Sequence, residues 1–259
     1  PDESPLKVPR PRLVNLYNCT NVLISELTFI NSPAWTIHPV YCENITVEKI
    51  SIIQPYESPN TDGINPESCK NVRILNCFVD CGDDCITIKS GYNEDGRRVD
   101  KACENIVISN CTFAHGRSAI GIGSEMSGGV KNVAISNCVF NGTLRGLRIK
   151  TNRERGGTVE NYRADNIIMS NVETGVSIDM YYGNKDSKPV AVSEKTPTFR
   201  NIHLSNITAT DVKNSIQITG LPESPVDDIS ITNSSFKSVK GFEIQFVKNL
   251  ALRDVSVNC

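Results

Sequence analysis

Asn105-Ile106-Val107-Ile108-Ser109-Asn110 is followed, 27 residues later, by Asn132-Val133-Ala134-Ile135-Ser136-Asn137. The shared form is a polar residue, an alternating apolar run and a second polar residue five places on. It begins at Asn21, Asn44, Asn71, Asn105, Asn132, Asn161, Asn201, Asp228 and Asn249, at intervals of 21 to 40 residues. The second polar position holds Glu26, Lys49, Asn76, Asn110, Asn137, Asn166, Asn206, Asn233 and Asp254. Alternation over four to six residues marks a strand with one buried face. Each unit also carries a second alternating run, such as Cys85-Ile86-Thr87-Ile88-Lys89 or Leu147-Arg148-Ile149-Lys150. Short strands repeating at this period without helices between them predict an all-β solenoid, a parallel β-helix of about nine coils. Asparagine suits its bends, because it tolerates the left-handed region and its amide can bond the asparagine of the next coil.

The rest of the composition agrees. There are 26 asparagines and no amphipathic heptads, so long helices are not expected. The rhythm breaks over 182–199, which reads as a loop, and no Pro/Gly/Ser-rich linker divides the chain. Residues 1–259 are therefore expected to form one domain. A net charge of -2 argues against a nucleic-acid partner, which would need concentrated Lys and Arg. No apolar run reaches the roughly 18 residues of a membrane span, and the opening PDESPLKVPRPR lacks the apolar core of a signal peptide. Neither membrane nor nucleic acid is expected as a partner. Cys19, Cys42, Cys69 and Cys103 precede the repeat residue by two places, and Cys77, Cys111 and Cys138 follow the second Asn. They read as small apolar residues stacked inside the coils.

Stacking also sorts the chemistry-bearing residues. Asp62, Asp83, Asp84, His115, Arg148, Lys150 and Tyr182 fall in five consecutive units and so line one side of the solenoid. Neighbouring rungs would be about 5 Å apart and Asp62 about 14 to 15 Å from Lys150, a span of two or three sugar rings. In Leu147-Arg148-Ile149-Lys150 the apolar pair faces the core and the cations face out, while the outward positions of Ile120-Gly121-Ile122-Gly123 are glycines, which leaves room for a ligand. Three carboxylates within two rungs cannot all ionise cheaply. A protonated one can protonate a leaving oxygen while an ionised neighbour activates water, the chemistry of glycosidic hydrolysis. Arg148 and Lys150 then suit a carboxylated sugar.

Asn60-Thr61-Asp62, Gly82-Asp83-Asp84, His115-Gly116 and Arg148-Ile149-Lys150, in that order, resemble glycoside hydrolase family 28, the polygalacturonases. The resemblance covers residues 10–259. It implies a right-handed parallel β-helix that hydrolyses α-1,4-galacturonan with inversion. By position, Asp83 resembles the general acid, Asp62 and Asp84 the pair that activates water, and His115 the group set against the acid. Arg148 and Lys150 resemble the clamp for substrate carboxylates and Tyr182 a substrate-contacting tyrosine, with Tyr181 adjacent. Ala114-His115-Gly116 departs from the family's Gly-His-Gly. The stretches 89–98 and 123–129 lean towards the bacterial, exo-acting branch. Cys85 and Cys111 match positions that form a disulfide in fungal members. The family is usually longer at its N-terminus, so the chain is expected to be truncated there. The implied partner is galacturonan or pectin, the implied location secreted or periplasmic with cytoplasmic as the alternative, and no metal or cofactor is called for.

Other readings compete. Asp62-Gly63 alone is a common turn dipeptide, Asp83-Asp84 alone could be a solvated bend, His115 alone is more often structural than catalytic, and Lys89 alone reads as an exposed strand lysine. A calcium-dependent lyase with Arg148 or Lys150 as base would use the same acidic cluster, and a non-catalytic carbohydrate-binding β-helix would need none of it. Six Asn-x-Ser/Thr sequons occur, at Asn18, Asn44, Asn110, Asn141, Asn206 and Asn233; several fall on the ladder positions, where buried Asn would be unavailable for glycosylation, and they read mainly as coincidence.

Overall fold

The computed structural model describes residues 10–183 and 188–259. The strands form three ladders in which each coil pairs in parallel with the next. One ladder runs through rungs that open at Thr20, Glu43, Lys70, Cys103, Val130, Thr158, Thr198, Val226 and Val247, nine among the described residues. A second ladder joins Thr28–Ile30, Ser51–Ile53, Phe78–Asp80 and Thr112–Phe113 in the early coils. The third carries Asp84–Ile88, Ser118–Ile122, Arg145–Lys150 and Thr174–Asp179 in successive coils. The winding is right-handed, as parallel crossovers in one sheet almost always are.

The repeat positions are the bends. All eighteen polar residues that bracket the alternating runs have positive φ, from 46° at Asn233 to 59° at Asn105. Their side chains form an external spine: the Asn44 amide donates to the Asn21 oxygen at 3.2 Å, Asn71 to Asn44 at 3.0 Å, Asn105 to Asn71 at 3.0 Å, and Asn132 to Asn105 and Asn161 to Asn132 each at 2.9 Å. Residues between the bends alternate inwards. Ile106, Ile108, Val133, Ile135, Tyr162 and Ile202 are among the buried residues that fill the coils.

Several expectations need correcting. All six sequon asparagines are solvent-exposed and not buried, and of the bend asparagines Asn71 and Asn201 are half-buried and the rest exposed, because the tight turn points the side chain outwards and the amide is satisfied by its ladder neighbours. All ten cysteines are free thiols. Cys85 and Cys111 do not pair: Cys85 lies on the third ladder, its Sγ 2.8 Å from the His115 carbonyl and 3.7 Å from Cys81 Sγ, whereas Cys111 stands just before the Thr112–Phe113 rung of the second. Of the seven cysteines placed at fixed distances from the repeat residues, six are buried and Cys19 is half-buried. The interval of 34 residues holds one short helix, Asn93–Val99, whose Arg97 donates to the Glu154 carbonyl at 2.7 Å. The expected loop over 182–199 falls partly on 184–187, outside the described residues; 188–197 carry no strand.

Candidate active site

The third ladder brings the carboxylates together. The bridge between Ile64 and Ile86 sets Asp62 beside Asp84 on adjacent coils, and Asp84 pairs in turn with Ser118. One carboxylate oxygen of each of Asp62, Asp83 and Asp84 lies within 4.8 Å of the others. Asp62 and Asp84 are buried, 4% and 2% exposed. The Asp83 side chain, at 16%, is the one open to solvent.

The cations come from two coils further on. Lys150 Nζ donates to Asp84 Oδ2 at 2.7 Å and Arg148 Nη1 lies 3.9 Å from Asp84 Oδ1. Gly121 pairs with Arg148 across the intervening rung. With no side chain there, both cations reach back over it to Asp84. Lys150 stands three rungs from Asp62, but its charged end lies on Asp84, so the expected separation of 14 to 15 Å does not hold for the charged ends. Leu147 and Ile149 face the core, as the alternation predicts. Gly123 has a further reason to be glycine: its φ is +84° and a Cβ there would lie 2.2 Å from the Lys150 carbonyl. The Tyr182 ring lies 5.4 Å from the Arg148 guanidinium and 5.2 Å from Lys150 Nζ. Tyr181 instead meets Arg153, 5.0 Å away, so it is Tyr182 that joins the basic pair.

These neighbours split the protonation of the trio. Burial pushes Asp62 up to about 7, with Lys89 opposing and the charges of Asp83 and Asp84 adding to the rise. Burial and the Asp84 charge also raise Asp83, against Arg117 and Lys150. Asp84 is buried as well, but Lys150 and Arg148 outweigh the burial and hold it well below the usual carboxylate range. Two carboxyls shifted towards holding their protons therefore adjoin one shifted towards losing it, a pattern that suits divided acid and base roles.

His115 is not where the resemblance puts it. Its Nδ1 is 3.0 Å from Asp80 Oδ1 and its ring meets Tyr56 edge-on at 5.9 Å. The group that faces Asp83 is Arg117, with Nε 3.8 Å from Asp83 Oδ2. The reason is register: Ser118 pairs with Asp84, so residue 117 stands beside residue 83, and residue 115 lies two positions upstream. Lys89 also departs from expectation. It is 4% exposed, with Nζ 2.7 Å from Glu125 Oε2, 4.7 Å from the Trp35 ring and close enough to Asp62 to hold down its rise. Sequence reasoning missed Arg117, Glu125, Trp35 and Asn65, which donates to Asp62 Oδ2 at 3.0 Å. Counting parity back from Ser118 could have found Arg117; nothing local marked the other three.

The fold and this cluster define a parallel β-helix protein carrying three clustered carboxylates beside a basic wall. A model of Glycosyl hydrolases family 28 matches residues 4–258. A probable polygalacturonase from Vitis vinifera is 37% identical over 229 residues, 88% of this chain and 46% of that protein. An endo-polygalacturonase from Pectobacterium carotovorum subsp. carotovorum is 30% identical, across 93% of this chain and 56% of its own. The crystal structure of a hyperthermoactive exopolygalacturonase from Thermotoga maritima superposes with a TM-score of 0.90 at 38% identity, covering 96% of this chain and 55% of that one. The chain belongs to glycosyl hydrolases family 28, and it spans about half the length of these relatives.

Proposed function

We propose that the chain hydrolyses α-1,4-galacturonosidic bonds in galacturonan or pectin, with Asp83 as general acid and Asp62 and Asp84 as the pair that activates water. The observation that carries this is the gathering of three carboxyls whose oxygens lie within 4.8 Å of one another, with burial raising Asp62 and Asp83 and the basic pair lowering Asp84. Asp83, raised and the most open of the three, can hand its proton to the leaving oxygen. Asp84 is the ionised member that accepts a proton from water, and Asp62, protonated up to about 7, orients that water from the next coil. Arg148 and Lys150 present positive charge where a uronate carboxylate would lie, with Tyr182 against both. One domain is the organisation the continuous ladders favour.

Inversion is the stereochemistry the family resemblance implies. The carboxyl spacing is short for that outcome, since inverting pairs usually stand about 6.5–9.5 Å apart and retaining pairs about 5–5.5 Å. Asp84 is held on one oxygen by Lys150 and is almost fully buried, a poor position for a nucleophile, and a water bridging Asp62 and Asp84 fits their spacing. NMR of the first-formed anomer tests this, with retention counting against it.

The lyase alternative is weaker because Lys150 is engaged by Asp84 as a cation, which leaves it ill placed to abstract a proton. A lyase would form an unsaturated, ultraviolet-absorbing product. Exo-action is the reading that the Thermotoga maritima likeness supports, so monomer should appear from the start of digestion of polygalacturonate; a ladder of oligomers would mean endo-action. No helix among the described residues is long and apolar enough to cross a membrane. A secreted or periplasmic location, where polymeric substrate is met, is checked by fractionating cells that express the full-length protein.

A further inference from the structure

We propose that Arg117, and not His115, is the residue that positions Asp83: its guanidinium, reaching from the next coil, orients the Asp83 carboxyl and sets the charge it experiences. The proposal rests on the reading of Asp83 as the acid. Three observations carry it. The backbone N–H of Arg117 donates to the Asp83 carbonyl at 2.8 Å, which pins the two residues side by side whatever their side chains do. Gly116 allows this approach, because its φ is +136° and a Cβ there would lie 2.7 Å from the Asp83 carbonyl oxygen and 2.8 Å from Cys85 Sγ. The same unusual backbone sends the two flanking side chains apart, His115 to Asp80 and Tyr56, Arg117 to Asp83.

The two Asp83 oxygens are then treated differently. Oδ1 accepts from the backbone N–H of Asp84 at 3.0 Å, and Oδ2 faces Arg117 Nε at 3.8 Å. That gap is too long for a hydrogen bond but short enough for charge to orient the group. Asp84, by contrast, is locked to Lys150 at 2.7 Å. Asp83 therefore keeps an oxygen free for the leaving group while its direction is held. The charged groups facing it are Asp84 from its own strand, Asp62 from the preceding coil, Arg117 from the following coil and Lys150 from the one beyond. Arg117 is the nearest cation, and its side chain is half-exposed, so replacing it need not disturb the core.

The test is the titration of the Asp83 carboxyl by carbon NMR in the intact chain, assigned with Asp83→Asn, for the wild type, R117Q, R117K and H115A. R117Q should move the Asp83 titration up by about one unit, since an adjacent arginine lowers an aspartate by about that much or more. R117K should give a smaller rise, and H115A none. Where the chain cleaves galacturonan, the alkaline limb of kcat/KM should move up with the titration in R117Q, and kcat should fall about tenfold as the acid loses its alignment. An unmoved Asp83 titration in R117Q, or a shift in H115A instead, overturns the proposal. If R117Q does not fold, R117K decides, and no shift there overturns it. The titration needs no turnover, so a wild type that fails to cleave galacturonan would sink the proposed function while Arg117 is still measured.

Discussion

The asparagine spine and the charged column are both ladders of polar side chains one coil apart, yet they obey opposite rules. Along the spine the same residue repeats, and each amide donates to the oxygen of the coil before. An amide is donor and acceptor at once, so identical neighbours satisfy one another. On the third ladder Asp62, Asp84 and Ser118 stand in register, with Lys150 reaching in from beyond. Two carboxylates at this spacing repel, and burial adds to the cost. A solenoid that needed only stability would put asparagine or an apolar residue there, so the charges are best explained by chemistry.

That contrast breaks most sharply at Asp83. Asp83→Asn should lower reducing-end release from polygalacturonate by about 10³-fold, in the range of a lost general acid, with the melting temperature nearly unchanged. Substantial residual activity would move the acid role elsewhere.

Next comes Lys150→Ala, which leaves Asp84 buried without its partner. Urea unfolding should show a loss of about 3–5 kcal/mol, the usual consequence of stranding a buried charge. A loss under about 1 kcal/mol would mean that water already compensates Asp84.

The pH dependence separates the two ladders further. Asp62 is raised in the folded protein to about 7 from an ordinary value of 3.8, so its stabilising contribution is complete below the ordinary value and is lost as pH rises to about 7. Asp84 is depressed, so its contribution is present above the ordinary value and is lost only on strong acidification. Asp62→Asn should therefore flatten the decline in unfolding free energy between about pH 4 and 7, measured by denaturant titration at each pH. An unchanged decline would remove Asp62 as its source.

On the spine, Asn105 donates one bond and accepts another at a φ of 59°. Asn105→Ala should cost about 1–3 kcal/mol, from two modest hydrogen bonds and a left-handed backbone, and Asn105→Gly less. The smallest effect is expected at the exposed pair Lys195–Glu154, 3.0 Å apart, where Lys195→Ala should change stability by under about 1 kcal/mol.

Much of the architecture was legible because a solenoid is nearly one-dimensional. Every bend position named from the repeat has positive φ in the structure, since the requirement for Asn or a similar residue there is local. The trio and the basic pair were also legible, because parity and repeat order place them on one face. What failed was finer than one coil. His115 and Arg117 differ by two residues, and an uncertainty of two residues in register is enough to exchange them. Lys89 read as an exposed strand lysine because its partners come from other coils, Glu125 from the one after it and Trp35 from two coils before it.

From the chain alone came the β-helix, its bends, the faces of its strands and the set of acidic and basic residues, all of which depend on spacing within a repeat. Tertiary structure alone decided which of those side chains touch. It set Arg117 against Asp83, sent His115 to Asp80, kept Cys85 and Cys111 apart and locked Lys150 to Asp84. Contacts between coils depend on register and side-chain reach at the ångström scale, and a repeat read in whole residues cannot resolve them.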